Sequence, residues 1–215
     1  MILILNYRHG VRRDLGNSTL ALTARLVCIV RERKRKIPVL AAGGIADGRG
    51  LVAVLSLGAD GAVLGTRLWA SQEALGSAVY KDALVTAKSC DDVVRTRVFD
   101  TICNSYRQTK WPYPFDSSGT LRNLTTEAWD TLIPKLEAEL ESSDILSSSS
   151  SDADKRNIVD ELNHAEKEEL PDTGCVYSGQ GVGEIISIDP AYNIIQQIEE
   201  EAIQSLSNLR NLFDV

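Results

Sequence analysis

Ile37-Pro-Val-Leu-Ala-Ala-Gly-Gly-Ile-Ala-Asp-Gly-Arg49 and, shortly after it, Leu57-Gly-Ala-Asp-Gly-Ala-Val-Leu-Gly-Thr-Arg67 decide how this chain folds. Ile37 to Ala42 is a short continuous apolar run with proline near its start, the pattern of a strand buried in a parallel sheet, and Gly43-Gly44 ends it. Asp47 or Gly48 can open a helix that continues through Leu51, Val52, Val54, Leu55 and Leu57, and Gly58 supplies a left-handed stop. Gly61-Ala-Val-Leu64 reads as the next strand, closed by Gly65-Thr66, and a further helix is predicted from about Trp69 to Ala87. Strand, helix and strand in such quick succession form a βαβ unit, which requires a parallel sheet and gives an α/β fold class.

Upstream, Leu22, Leu26, Val27, Ile29 and Val30 recur at mostly helical spacings within Leu20 to Glu32, a helix to pack on that sheet. Downstream of Ala87 the sequence turns mixed polar and aromatic, and Trp111-Pro-Tyr-Pro must be extended or turn-like, so this stretch reads as a loop excursion. A helix is expected from near Thr125 to Leu140. Ser142 to Asp154, with five consecutive serines, is too polar to pack, and Asp160 to Glu169 reads as an exposed acidic helix. Gly179 to Leu212 is a glycine-rich turn and a long helix carrying Ile194, Ile195, Ile198, Ile203, Leu206 and Leu209 on roughly one face. The chain thus divides into βα units (1–87), a loop and helical segment (88–141), a flexible Ser- and acid-rich insertion (142–170) and a Gly-rich turn with a C-terminal helix (171–215).

With 215 residues, 43% of them hydrophobic, the chain can bury a real core. Its net charge of −7 argues against nucleic acid as a partner, and the only dense basic run, Arg31 to Lys36, reads as a solvated helix end. Cys28, Cys90, Cys103 and Cys175 are widely spaced, form no C-x-x-C pair and lack histidine partners, so mostly buried, reduced thiols are expected and no metal site. Neither a signal-peptide core nor an apolar run of membrane-spanning length is visible, which predicts a cytoplasmic protein with no membrane partner.

In a parallel α/β sheet, ligands bind at the carboxyl ends of the strands, where both glycine turns fall. Gly43 and Gly44 allow backbone N–H groups to approach a phosphate, the helix that follows adds positive potential at its N-terminus, and Gly65 with Thr66 offers a further N–H and a hydroxyl. Tight turns alone would also account for any one of these glycines; two such turns on adjacent strands point to phosphate.

The same residues resemble the nitronate monooxygenase (2-nitropropane dioxygenase) family. Val94-Arg-Thr-Arg-Val-Phe-Asp100, the Trp111-Pro segment, Leu121-Arg-Asn and Ser178-Gly-Gln-Gly-Val-Gly-Glu-Ile185 extend the resemblance to the downstream part of its fungal-type members. The resemblance implies the last βα units of a (β/α)8 TIM barrel, followed by a mostly helical C-terminal region. It implies FMN, with its phosphate held by Gly44, Val63, Leu64, Gly65 and Thr66, Gly43 as a close backbone neighbour, and Gln180 and Gly181 near the cofactor. In the family a histidine in an Ala-Gly-Gly-His-Gly segment is the catalytic base or orients the substrate. His9-Gly10 is the candidate here, preceded by Asn6-Tyr-Arg in place of the small residues, a departure that would crowd the flavin.

The implied reaction is oxidation of alkyl nitronates or nitroalkanes with O2 to a carbonyl product and nitrite, with no metal. A barrel of this kind takes about 250 residues, so the chain reads as a truncated copy whose open edges favour self-association. Two rivals share the glycine turns: another FMN or nucleotide barrel, resembling enoyl reductases or inosine-monophosphate dehydrogenase, and a non-catalytic remnant or interaction protein.

Overall fold

The computed structural model describes residues 2–5, 18–34, 36–99, 117–128, 160, 164 and 167–213. Strands β1 (Ile2–Leu5), β2 (Val39–Ala42) and β3 (Gly61–Val63) form a parallel sheet in the order β1-β2-β3. Leu5 pairs with Ala42, and Ala42 with Val63, so all three strands end side by side.

Helix α1 (Thr19–Glu32) starts at Ser18, whose hydroxyl accepts from the Ala21 amide at 3.2 Å, and it buries Thr23, Val27 and Val30. Val27 and Val30 pack with Val39 of β2, so the apolar face legible in the sequence lies against the sheet. Arg31, Arg33, Lys34 and Lys36 are exposed, the solvated helix end expected of the basic run. Helix α2 (Gly48–Ser56) is capped by Asp47, whose carboxylate accepts from Gly50 at 2.8 Å, and it stops at Gly58 in the left-handed region (φ 90°). Its Val54 joins Ala41, Ile45 and Ala59 in a second core cluster.

The single helix expected from Trp69 to Ala87 is instead two, α3 (Thr66–Trp69) and α4 (Ala78–Thr86). Tertiary bonds hold the intervening stretch out of helix. Ser71 bridges to Asp189, the Gln72 amide donates to the Asp189 carbonyl at 3.0 Å, and the buried Lys81 ammonium donates to the carbonyls of Ser71 (2.6 Å) and Ala74 (2.7 Å). Part of the stretch read as loop forms a second, antiparallel sheet of β4 (Val93–Thr96) and β5 (Ser118–Leu121). The largest cluster joins Leu84, Leu121, Val176, Val182 and Ile185, and so ties this sheet to α4 and to the C-terminal segment.

The last helix, α5 (Ala191–Phe213), buries Ile194, Ile198 and Ala202, chiefly against α2. Ile195, Ile203, Leu206 and Leu209 are exposed, a correction to the single face read from the sequence: the buried stripe is the narrower one of Ile194, Ile198 and Ala202, which lies on the side toward α2. Cys28 and Cys90 are exposed and Cys175 is partly buried, so the expected burial does not hold for the first two. His9, Cys103, the Trp111-Pro-Tyr-Pro stretch, the end of the helix expected to Leu140 and the serine run lie outside the described residues.

Candidate functional site

Beyond β2 the chain turns through Gly43 (φ 108°) and Gly44 (φ 74°), conformations that side-chain-bearing residues rarely adopt. Beyond β3, Leu64 and Gly65 lead directly into α3, the short extra helix that often completes a barrel phosphate site. The pairing of Ala42 with Val63 sets these two turns next to each other.

A third segment closes on them from more than a hundred residues away. The Gly179 amide donates to Thr66 Oγ1 at 2.9 Å, and a Cβ at Gly179 would stand 3.7 Å from the Gly44 nitrogen. A Cβ at Gly181 would stand 2.9 Å from the Gly44 carbonyl oxygen, so only glycine lets this turn lie against the first one. By contrast, a Cβ at Gly44 or at Gly65 would meet nothing within 4 Å. Three glycine-bearing turns therefore border open space at the carboxyl ends of β2 and β3.

The groups facing that space suit an anion. No side chain caps α3 at Gly65. Thr66 Oγ1 accepts from Gly179, which leaves its own proton to donate. The first turn is fixed from outside, because Thr19 Oγ1 at the start of α1 donates to the Gly43 carbonyl at 2.9 Å. Val63 is 37% exposed at the open side of β3, Leu64 is half-buried and Gln180 is exposed, so these expected cofactor neighbours line the turns without sealing them.

The N-terminus of α2, expected from the sequence to add positive potential at this site, already carries two carboxylates. The Asp47 carboxylate accepts from Gly50, and the Glu201 carboxylate of α5 accepts from Gly48 at 2.9 Å. These two carboxylates occupy the Gly48 and Gly50 amides, which leaves the Gly44 turn and the Gly65–Thr66 side as the candidate anion-facing groups. Arg67, adjacent in sequence, points away and is 5% exposed; it donates to the Ser187 carbonyl at 3.0 Å and to Asp189 at 3.4 Å. Burial pushes its guanidinium pKa down, with Asp189 opposing, and Arg67 pins the approach to α5.

Of the residues singled out in the sequence, Gly43, Gly44, Val63, Leu64, Gly65, Thr66, Gln180 and Gly181 all lie on these three turns or at the end of β3, and Thr19, Gly179 and Glu201 join them without having been singled out. Gly179 stood in a quoted motif, whereas nothing local marks Thr19 or Glu201. His9 lies outside the described residues. Among the described residues no group of His, Cys, Asp and Glu could hold a metal ion, and no helix is long and apolar enough to cross a membrane. A cavity of about 320 Å3, bordered by Val30, Arg31, Lys36, Val39 and Asp60, sits at the opposite ends of the strands, away from the three turns.

Residues 9–201 match the family model described as nitronate monooxygenase. The chain belongs to the nitronate monooxygenase family. Nitronate monooxygenase npaC of Metarhizium robertsii is 38% identical over 122 residues, which are 56% of this chain and 31% of that protein. A "Probable nitronate monooxygenase" of Staphylococcus aureus is 42% identical over 81 residues, 38% of this chain and 21% of that one. Among solved structures, FabK from Thermotoga maritima aligns over 98% of this chain and 56% of its own (TM-score 0.65, 26% identity). Nitroalkane oxidase from Streptomyces ansochromogenes aligns over 90% of this chain and 46% of its own (TM-score 0.58, 25% identity). The α/β class stands, and the chain spans about half the length of these two solved structures.

Proposed function

We propose that this chain carries the phosphate-binding part of an FMN-dependent nitronate monooxygenase, which oxidises alkyl nitronates or nitroalkanes with O2 to a carbonyl product and nitrite. The observation that carries the reading is the convergence of Gly44, Gly65–Thr66 and Gly179–Gly181 around open space at the ends of two adjacent parallel strands, in a chain of this family. FMN, when bound, supplies the redox chemistry. Gly44 and Gly65 leave room for the phosphate, Thr66 donates its hydroxyl proton to it, and the Gly179–Gly181 turn closes one side of the site. His9 is our candidate to accept the α-proton of a nitroalkane on its imidazole or to orient a nitronate.

The visible absorption spectrum of the purified chain with added FMN tests this reading, alone and mixed with the N-terminal half of a full-length relative. Bands of protein-bound oxidised flavin, followed by nitrite release from a nitronate, are the expected result. Flavin binding with NAD(P)H consumption and no nitrite would move the assignment to a reductase on the same barrel. A protein without flavin in both mixtures would overturn the cofactor site itself and leave the remnant reading.

A further inference from the structure

Glu201 reaches from the middle of α5 to the first amide of α2 and accepts from Gly48 at 2.9 Å through one carboxylate oxygen. The other oxygen accepts from the Gln197 side-chain amide at 2.8 Å, so the carboxylate is aimed by its own helix. The contact is close: a Cβ at Gly48 would collide with the Ala202 amide nitrogen and with Glu201. Ala202 itself is buried, and among the described elements α5 packs on α2 more extensively than any other pair. Gly48 lies four residues beyond Gly44, and Ile45 and Ala46, both buried, leave little slack between them. The phosphate turn is thus held at its entrance by Thr19 on Gly43 and at its exit by Glu201 on Gly48.

We propose that Glu201 is a positioning residue for the cofactor: by holding the exit of the 43–48 turn, it keeps the Gly44 amide where the phosphate needs it. The inference rests on the FMN reading above. What the turn requires is an acceptor on α5 at this spot rather than a charge facing the ligand, which separates the role from catalysis.

Hydrogen–deuterium exchange of the free chain and FMN titration, with Glu201→Ala and Glu201→Gln, decide the matter. Glu201→Ala should speed exchange at residues 44–48 and weaken FMN binding about tenfold, the factor that loss of one charge-assisted hydrogen bond carries. Glu201→Gln keeps a carbonyl oxygen for Gly48 and should restore both readouts to within about threefold of wild type. Gly48→Ala, which pushes α5 away by sterics alone, should reproduce the alanine phenotype. If Glu201→Ala leaves exchange at 44–48 unchanged, or changes it only within α5, the positioning role is wrong. A wild-type chain that takes up no FMN, even with the N-terminal half supplied, overturns the flavin reading and leaves Glu201 to be decided by exchange.

Discussion

The hydroxyl of Thr66 takes a hydrogen bond from Gly179 and has its own proton left for a ligand, so one side chain joins the fold to the site. Thr66→Val keeps the shape but strands the partly buried Gly179 amide, and urea unfolding should show a loss of about 1–3 kcal/mol. Thr66→Ser should recover most of it. At Asp92, the amide of Lys88, then that of Ser89, holds the carboxylate below its ordinary value of 3.8. A depressed folded-state pKa means that the Asp92 carboxylate and its two amide donors contribute stability above the ordinary value and lose it as pH falls through the depressed one. Asp92→Asn should therefore flatten part of the acid limb of a stability-versus-pH curve and leave its shape near neutrality unchanged. Both glycine turns were legible at this scale because glycine closing a short apolar run is a local signal, although only Gly43 and Gly44, and not Gly65, take a positive φ. Glu201 was not, since a glutamate on an amphipathic helix looks the same whether it faces water or another helix's N-terminus.

Elements were legible to the extent that their reasons are local. Asp47 and Gly58 start and stop α2 as a side-chain cap and a left-handed glycine should. The break between α3 and α4 could not be read, because it depends on Lys81 and on Asp189, which lies far along the chain. Helix α5 gives the sharpest check at this scale. Ile198→Ala, at a position 6% exposed against α2, should cost about 2–5 kcal/mol in urea unfolding. Ile203→Gln, at a position 61% exposed, should change stability by less than about 0.5 kcal/mol. Equal losses at both sites would show that the far half of α5 is also covered in solution.

For the molecule as a whole, the described parallel sheet has β1 at one side and β3 at the other, each with one hydrogen-bonding edge unpaired within that sheet. Such edges favour pairing with other chains, so sedimentation velocity should show association that grows with protein concentration. The N-terminal half of a relative should suppress that association as it restores flavin binding. A monomer at all concentrations would argue that the edges are covered within the chain.

By itself, the sequence determined the βαβ unit, the caps of its helices and the glycines of its turns, because hydrophobic period, capping chemistry and left-handed glycine are properties of neighbouring residues. Only the tertiary structure decided that Gly179 and Gly181 close on Gly44 and Thr66, that Thr19 and Glu201 hold the two ends of the 43–48 turn, and which face of α5 is buried. Each of those joins residues far apart in the chain, and only folding brings together a donor and an acceptor that no local pattern pairs.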